Sequence, residues 1–252
     1  MAIMPEKAWA NIYLICSNAM LISHDPCFIF FHVAKVAGLS LREALNPYAT
    51  VPDKFKIRRP IKMVDGKINP LYIIWESTLT HATALNTQKE LGSLIFQSYF
   101  KFAFVRNPWD WQVSMYHFIL KETAHIHHQR VKAMSGFAEY VRWMINDKKP
   151  FARGATRFQK DMLCNEKGDV IVDFVGRYEN LADDFAYLCE HLKLQATLPY
   201  LNKSKHSSYQ SYYDKETHDL IAEHFHDDIE LFGYTFEGYR NDAGYLQRQY
   251  TP

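Results

Sequence analysis

The 252-residue chain has few cysteines, glycines and prolines and almost no net charge. Gly and Pro number 10 each, which excludes collagen-like and low-complexity chains. The 29 Lys and Arg residues against 28 Asp and Glu exclude a generally basic nucleic-acid-binding protein and an acidic disordered one. Any anion-binding site must therefore be a local group of positive side chains rather than a property of the whole surface.

Four cysteines are too few for a disulfide framework in a chain of this length, and none stands in a CxxC pair. We interpret them as small buried thiols in a reducing compartment: Cys16, Cys27, Cys164 and Cys189. The histidines at 125, 127 and 128 have no carboxylate or Cys at ligand spacing, so we expect a solvated loop there. The sequence predicts no metal site.

Long hydrophobic runs are also missing. The stretch from 8 to 22 is interrupted by polar residues and is too short to cross a bilayer. It also lacks the basic start and the cleavage site of a signal peptide. We expect one domain over 1–252, with a helical extension over about 1–26, a cytoplasmic location and no membrane span. The oligomeric state is left open.

Hydrophobic residues make up 48% of the chain, enough for the core of one large α/β domain. Continuous apolar runs at 27–33 and 100–105 predict strands buried on both faces, and 71–75 could be another. Residues 161–178 predict two strands around a turn at 166–169. Helical patterns cover 39–45, 83–96, 108–120, 137–145, 181–192 and 215–232. The alternation predicts a P-loop-like, three-layer fold with a central, mainly parallel sheet flanked by helices.

The segment from His32 to Ser40 (HVAKVAGLS) carries the first candidate anion site. A buried strand leads through a short loop to a helix N-terminus, whose unpaired N–H groups and dipole favour an anion. Lys35 adds a positive charge, Gly38 permits close backbone approach, and Ser40 adds a hydroxyl donor. The loop lacks the second glycine and the Gly-Lys-Ser/Thr ending of a Walker A motif. Composition alone leaves open whether this is an anion site or only a tight turn.

A second strand–helix junction repeats this arrangement within 100–118 (FKFAFVRNPWDWQVSMYHF). Arg106 stands where the strand ends, and Ser114 follows on the helix. A guanidinium suits phosphate recognition because it presents a fork of donors. Alternatively, Arg106 could pair with Asp110 and fix the turn. Two such loops on neighbouring strand–helix units favour one shared anionic ligand, because a sheet brings loops at the carboxyl ends of its strands together.

The segments HVAKVAGLS and FVRNPWDWQVSMYHF resemble the two cofactor motifs of sulfotransferases that use 3′-phosphoadenosine 5′-phosphosulfate (PAPS). The likeness is to the carbohydrate branch, which includes chondroitin and heparan 2-O-sulfotransferases and bacterial relatives. Shorter stretches resemble that branch too: HATA (81–84), GRYENL (176–181), LPYLNKS (198–204) and FGY (232–234). The resemblance extends over 27–236 and implies a PAPS-dependent O-sulfotransferase with a hydroxyl acceptor, first of all a glycan.

In the first loop, the resemblance implies a cradle for the 5′-phosphosulfate. Lys35 would also donate to the bridging oxygen as the S–O bond breaks. The remaining donors would come from the rest of the loop: Val36, Ala37, Gly38, Leu39 and Ser40. Two residues depart from the branch, since Ala34 replaces a frequent Pro and Leu39 replaces a Thr or Ser hydroxyl.

In the second loop, the resemblance implies that Arg106 and Ser114 bind the 3′-phosphate. Trp111 stands where a basic residue is common in the branch. Arg177 and the pair Lys203 and Ser204 would close over the nucleotide. Within GRYENL, the residues themselves suggest that Glu179 orients Arg177 or caps the following helix, with Asn180 as the alternative cap. The tyrosines at 209, 212 and 213 could line an acceptor or adenine pocket or simply pack.

For the acceptor, the resemblance implies a general base. His81 is the first candidate, because an imidazole titrates near neutral pH, and Glu76 is the second. We expect no metal, because a sulfuryl group carries less negative charge than a phosphoryl group. Two alternatives stay open. One is a sulfotransferase-like protein that binds the product 3′-phosphoadenosine 5′-phosphate (PAP) without transfer. The other is an ATP-dependent small-molecule kinase, which would need a metal carboxylate and a fuller P-loop.

Overall fold

Four strands form a central sheet in the order β1 (Leu21–His24), β2 (Cys27–Phe31), β5 (Phe100–Val105) and β6 (Phe174–Arg177). The computed structural model describes residues 20–49, 63–64, 67–68, 82–147, 158–199 and 208–240. Strands β2, β5 and β6 run parallel, and β1 is antiparallel to β2. The predicted mainly parallel sheet flanked by helices is confirmed.

The apolar runs form the strands because they can be buried on both faces of the sheet. Every residue of β5 is buried, and Phe30 of β2 stacks on Phe102 of β5 with ring centroids 5.3 Å apart. In the register of the sheet, Phe31 lies beside Ala103 and Val105 lies beside Arg177. The three parallel strands therefore end at one edge, and both candidate loops start from that edge.

Helices follow each parallel strand. The first anion loop continues into α1 and the second into α4, which begins at Pro108 because Asn107 accepts a hydrogen bond from the Trp109 N–H at 3.1 Å. The helices in chain order are α1 (Gly38–Leu45), α2 (Ala84–Leu91), α3 (Ser93–Ser98), α4 (Pro108–Lys121), α5 (His128–Lys132), α6 (Phe137–Asn146), α7 (Gln159–Leu163), α8 (Leu181–Leu192), α9 (Lys215–His224) and α10 (His226–Phe232). Two short antiparallel pairs complete the described strands: β3 (Met63–Val64) with β4 (Lys67–Ile68), and β7 (Tyr234–Thr235) with β8 (Gly238–Tyr239).

Two predicted helices are each divided in two. The helix predicted over 83–96 ends at Gly92, whose φ of 79° is incompatible with a continuing right-handed helix. The helix predicted over 215–232 is interrupted at Phe225, whose ψ of 20° departs from helical geometry. In both cases the apolar spacing continues across the break, so periodicity alone could not locate it.

The strand pair predicted within 161–178 is wrong in its first half. Residues 159–163 form α7, and only a single bridge, Cys164 with Val170, resembles a hairpin. Met162 and Leu163 are buried in the core, and a carboxylate from α10 accepts from the first N–H groups of α7. This long-range cap supplies the helix start that the local sequence lacks.

The predicted helical extension over 1–26 is wrong for its last residues. Leu21 and Ile22 pair with Phe30 and Ile29 in an antiparallel ladder, which buries them at the edge of the sheet. Residues 1–19 and the strand predicted at 71–75 lie outside the described residues. Among the described cysteines, Cys164 is buried, but Cys27 is exposed at the start of β2, against the expectation of burial. Within the described ranges, no helix is long and apolar enough to cross a membrane.

Candidate active site

The two cationic loops meet at the carboxyl edge of the sheet. Arg106 donates from Nη1 to the carbonyl oxygen of Lys35 at 3.1 Å. One turn into α4, Trp111 donates from Nε1 to the carbonyl oxygen of Ala34 at 2.8 Å. The backbone of the first loop is therefore fastened to two side chains of the second. One of these two side chains is Trp111, the residue that stands where a basic residue is common in the carbohydrate branch.

The first loop has an unusual backbone. Lys35 and Ala37 lie in the left-handed region, with φ of 63° and 60°, at a cost of about 1 to 2 kcal/mol each. At Gly38, an added Cβ would lie 1.8 Å from Nε2 of the buried His32. The glycine is thus required for packing against the preceding strand, a constraint separate from the close ligand approach expected from sequence. Ala37 is the N-cap residue of α1, and its methyl side chain cannot accept a hydrogen bond. The first N–H groups of α1 therefore have no side-chain cap from this residue.

The Lys35 ammonium lies in an environment that disfavours its charge. Its Nζ lies over the Phe118 ring, 4.2 Å from the centroid, and this cation–π contact favours the charge. Other groups oppose it. Burial, with added repulsion from Arg106 and Lys121, lowers the pKa of Lys35 from 10.5 to about 8. Within the part of the chain that the structure describes, no carboxylate forms an ion pair with it. A desolvated and unneutralised cation of this kind is a ready partner for an anionic ligand.

We expect the pH dependence of kcat/KM for an anionic donor substrate to report the pKa of Lys35. Only the protonated amine can donate and carry charge, so kcat/KM should fall as the pH rises through about 8, the pKa of Lys35 in the free protein. A Lys35→Arg variant keeps its charge at high pH, so the fall should disappear from its profile. A Lys35→Arg profile that still falls near pH 8 would assign that titration to another group.

Arg106 is held on several sides. Its Nε donates to Asp110 at 2.8 Å, and its guanidinium carbon lies 3.9 Å from the centroid of the Tyr178 ring. The side chain is 4% exposed. The alternative interpretation, a pair with Asp110 that fixes the turn, is therefore part of the structure. The pair with Asp110 leaves the Nη2 donors of Arg106 available, because no described residue accepts a hydrogen bond from Nη2.

Ser114 lies between these two cations along α4. Asp110, Ser114 and Phe118 follow one another at four-residue spacing, which places them on one side of the helix. Asp110 contacts Arg106, and Phe118 contacts Lys35. At about 1.5 Å rise per residue, the two ends of this row are about 12 Å apart. The row has a cation at each end and a hydroxyl at its centre.

The GRYENL segment supports the second loop in ways its sequence did not suggest. Tyr178 stacks on Arg106, a contact that nothing in the local sequence indicates. Glu179 accepts from the Asn107 N–H at 2.6 Å and from the Tyr234 hydroxyl at 3.1 Å, so these bonds go to the second loop and the β7 strand rather than to Arg177 or to α8, the helix that follows it. Burial raises the pKa of Glu179, while the N–H of Asn107 and the charge of Arg106 oppose the rise.

The other singled-out residues of this part of the chain contact neighbouring elements. Arg177 donates from Nη2 to the carbonyl oxygen of Phe232 at 2.9 Å and lies 4.3 Å from the Tyr239 ring centroid, which ties β6 to the β7–β8 hairpin. Its role over the nucleotide stays a prediction. Asn180 bonds the side chain of Asp184 and forms no cap. Two of the three tyrosines bond backbone carbonyls: Tyr209 that of Phe236 and Tyr213 that of Trp109.

The His125 to His128 segment is not simply a solvated loop. His128 is buried and bonds the carbonyl oxygen of Ile119 at 2.9 Å, while His125 packs edge-on against Phe118. Over the described ranges, no group of three or more metal-binding side chains was found. Four predicted site residues lie outside the described residues: Glu76, His81, Lys203 and Ser204.

Comparison with known proteins identifies the family of this chain. A family model described as "Sulfotransferase family" matches residues 18–235, a span that contains both loops, the whole central sheet and the GRYENL segment. The chain belongs to the sulfotransferase family. An uncharacterized protein from Archaeoglobus fulgidus is 31% identical over 115 residues, which are 44% of this chain and 82% of that protein. No solved structure matches.

Membership of the sulfotransferase family supports sulfuryl transfer as the general activity of this chain. The family match does not distinguish the carbohydrate branch from others.

Proposed function

We propose that the protein is a PAPS-dependent O-sulfotransferase whose acceptor is a carbohydrate hydroxyl. The observation that carries this proposal is the contact between the two loops, in which Arg106 bonds the backbone of Lys35. A ligand with an anionic group at each end could engage both cations. PAPS has this form, with a phosphosulfate on one side of the adenosine and a phosphate on the other.

The residues present fit such a ligand. Lys35 is desolvated and has no described carboxylate partner, so a phosphosulfate beside it would stabilise its charge. Arg106 has Nη2 donors that no described residue uses, and Ser114 lies on the adjoining helix face. We assign the 5′-phosphosulfate to the Lys35 loop and the 3′-phosphate to Arg106 and Ser114.

PAPS supplies a sulfuryl group attached to a phosphate leaving group. In the transfer, the acceptor oxygen forms a bond to sulfur, and the bond from sulfur to the phosphate oxygen breaks. Lys35 and the N-terminus of α1 stabilise the negative charge that develops on that phosphate oxygen. Arg106 fixes the far end of the nucleotide, so that the reacting atoms are in line. The proton of the acceptor hydroxyl passes to a general base, for which His81 is the first candidate and Glu76 the second.

The acceptor class rests on the resemblance of the sequence to the carbohydrate branch. A cytoplasmic location is supported by the sequence, whose four cysteines include no CxxC pair and suit a reducing compartment. Sulfuryl transfer in this form uses no metal ion, since the lysine and the helix N-terminus supply the charge stabilisation.

The proposed function is tested by binding and by transfer. PAP at about 100 times its Kd should raise the melting temperature by about 5 to 10 °C, because it binds only the folded state. Incubation with PAPS and a panel of oligosaccharides, lipids and small alcohols should give a sulfated oligosaccharide by mass spectrometry. A shift with PAP and no transfer to any acceptor would favour a non-catalytic nucleotide-binding protein. A shift with magnesium and ATP but none with PAP would favour a kinase.

A further inference from the structure

The backbone of Arg106 is held by a single buried side chain from elsewhere in the chain. Gln159, at the start of α7, is 0% exposed. Its Oε1 accepts from the Arg106 N–H at 2.9 Å, and its Nε2 donates to the Arg106 carbonyl oxygen at 2.8 Å. Strand β5 ends at Val105, so the Gln159 amide takes the place of the strand partner that Arg106 no longer has.

Gln159 is itself fixed by a buried carboxylate. Asp228 of α10 is 0% exposed and accepts from the N–H groups of Gln159 and Lys160, both at 2.8 Å. Burial raises the pKa of Asp228 to about 7, and the two N–H donors oppose that rise. These bonds set the position of the first turn of α7. Consequently, three buried groups form one chain from α10 to the second anion loop.

We propose that Gln159 and Asp228 are positioning residues for the nucleotide site, which set the place and direction of the Arg106 side chain through its backbone. The proposal rests on the proposed function, because it assumes that Arg106 binds the 3′-phosphate of PAPS. Neither residue touches the ligand. Their effect arises because a guanidinium recognises phosphate only within a narrow range of directions.

The geometry distinguishes this role from ordinary packing. The N–H and the carbonyl oxygen of Arg106 both bond the side-chain amide of Gln159. Loss of that amide would therefore release the backbone on both sides of the Arg106 Cα. The guanidinium would then be held only by its bonds to Asp110 and the Lys35 carbonyl and by its contact with the Tyr178 ring. A displacement of about 1 Å at such a contact can cost up to about a hundredfold in the interaction it serves.

The experiment compares Gln159→Met with Gln112→Met in the full chain. Both glutamines are buried, and Gln112 bonds the Tyr140 hydroxyl at 3.0 Å instead of Arg106. The Kd values of PAP and of adenosine 5′-phosphate are measured by calorimetry, together with the melting temperature without ligand. Gln159→Met should raise the Kd of PAP about tenfold or more and that of adenosine 5′-phosphate less than about twofold. Gln112→Met should lower the melting temperature while both Kd values stay within about twofold of wild type.

A Gln159→Met protein that is less stable but binds PAP as wild type does would overturn the inference. If Gln159→Met does not fold, Asp228→Asn serves instead, since it keeps the size and one acceptor oxygen and should raise the Kd of PAP about threefold. An unchanged Kd in Asp228→Asn would then be the contrary result. Failure of the wild-type protein to bind PAP would overturn the proposed function, and this inference with it. Normal binding by wild type, loss in an Arg106 variant and no loss in Gln159→Met would overturn the inference alone.

Discussion

Lys35→Met is expected to lower kcat/KM for PAPS by about a thousandfold and to leave the protein at least as stable as wild type at pH 7. The loss of activity follows because Lys35 is the donor placed where charge develops on the leaving phosphate oxygen. The stability follows from the pKa of about 8, which lies below the 10.5 of an exposed lysine. The folded state therefore disfavours the charge, and this penalty is present in full below pH 8 and disappears as the pH rises through 10.5.

The measurement pairs steady-state kinetics with thermal unfolding of the same preparation. Lys132→Met is the matched control, because Lys132 is an exposed lysine in the last turn of α5. It should change kcat/KM less than about twofold. A Lys35→Met protein that is active at the wild-type level would remove the lysine from the chemistry. A Lys35→Met protein that is inactive only because it has unfolded would contradict the expected stability.

Arg106→Lys is expected to weaken PAP binding by about a hundredfold and to remove most of the preference for PAP over adenosine 5′-phosphate. Lysine keeps the charge but loses the fork, so it cannot bond Asp110, the Lys35 carbonyl and a phosphate at once. Adenosine 5′-phosphate lacks the 3′-phosphate. The ratio of the two Kd values therefore isolates the contact that we assign to Arg106.

The matched control for this variant is Arg130→Lys. Arg130 also combines a carboxylate partner, Asp147 at 3.3 Å, with an aromatic ring, Trp143 at 4.9 Å, but it lies on the surface. Its replacement should leave the ratio of the two Kd values within about twofold of wild type. If Arg106→Lys also keeps the wild-type ratio, the 3′-phosphate is not bound at Arg106.

Much of the fold could be predicted because its signals are local. The runs at 27–33 and 100–105 are too apolar to be anything but buried, and α8 begins and ends where its periodicity does. The errors occur where a distant group decides the local structure. Helix α7 depends on the carboxylate of Asp228, 68 and 69 residues away along the chain, and β1 depends on β2 for its ladder.

The candidate site divides in the same way. Lys35, Arg106 and Ser114 could be proposed from sequence, because Lys35 and Arg106 stand at strand–helix junctions where the backbone itself favours anions, and Ser114 follows on the second of these helices. The groups that hold them could not. Gln159 is 53 residues from Arg106 in sequence, and Glu179 is 72 residues from Asn107. A glutamine or a tyrosine in these segments is chemically ordinary until the fold brings it to the end of β5.

The most direct test of the account is a crystal structure of the protein with PAP. The account predicts a single nucleotide with its 5′-phosphate at Lys35 Nζ and the first N–H groups of α1, and its 3′-phosphate at Arg106 Nη2 and Ser114 Oγ. A nucleotide bound elsewhere, or one that contacts Lys35 while Arg106 faces away from both phosphates, would contradict it.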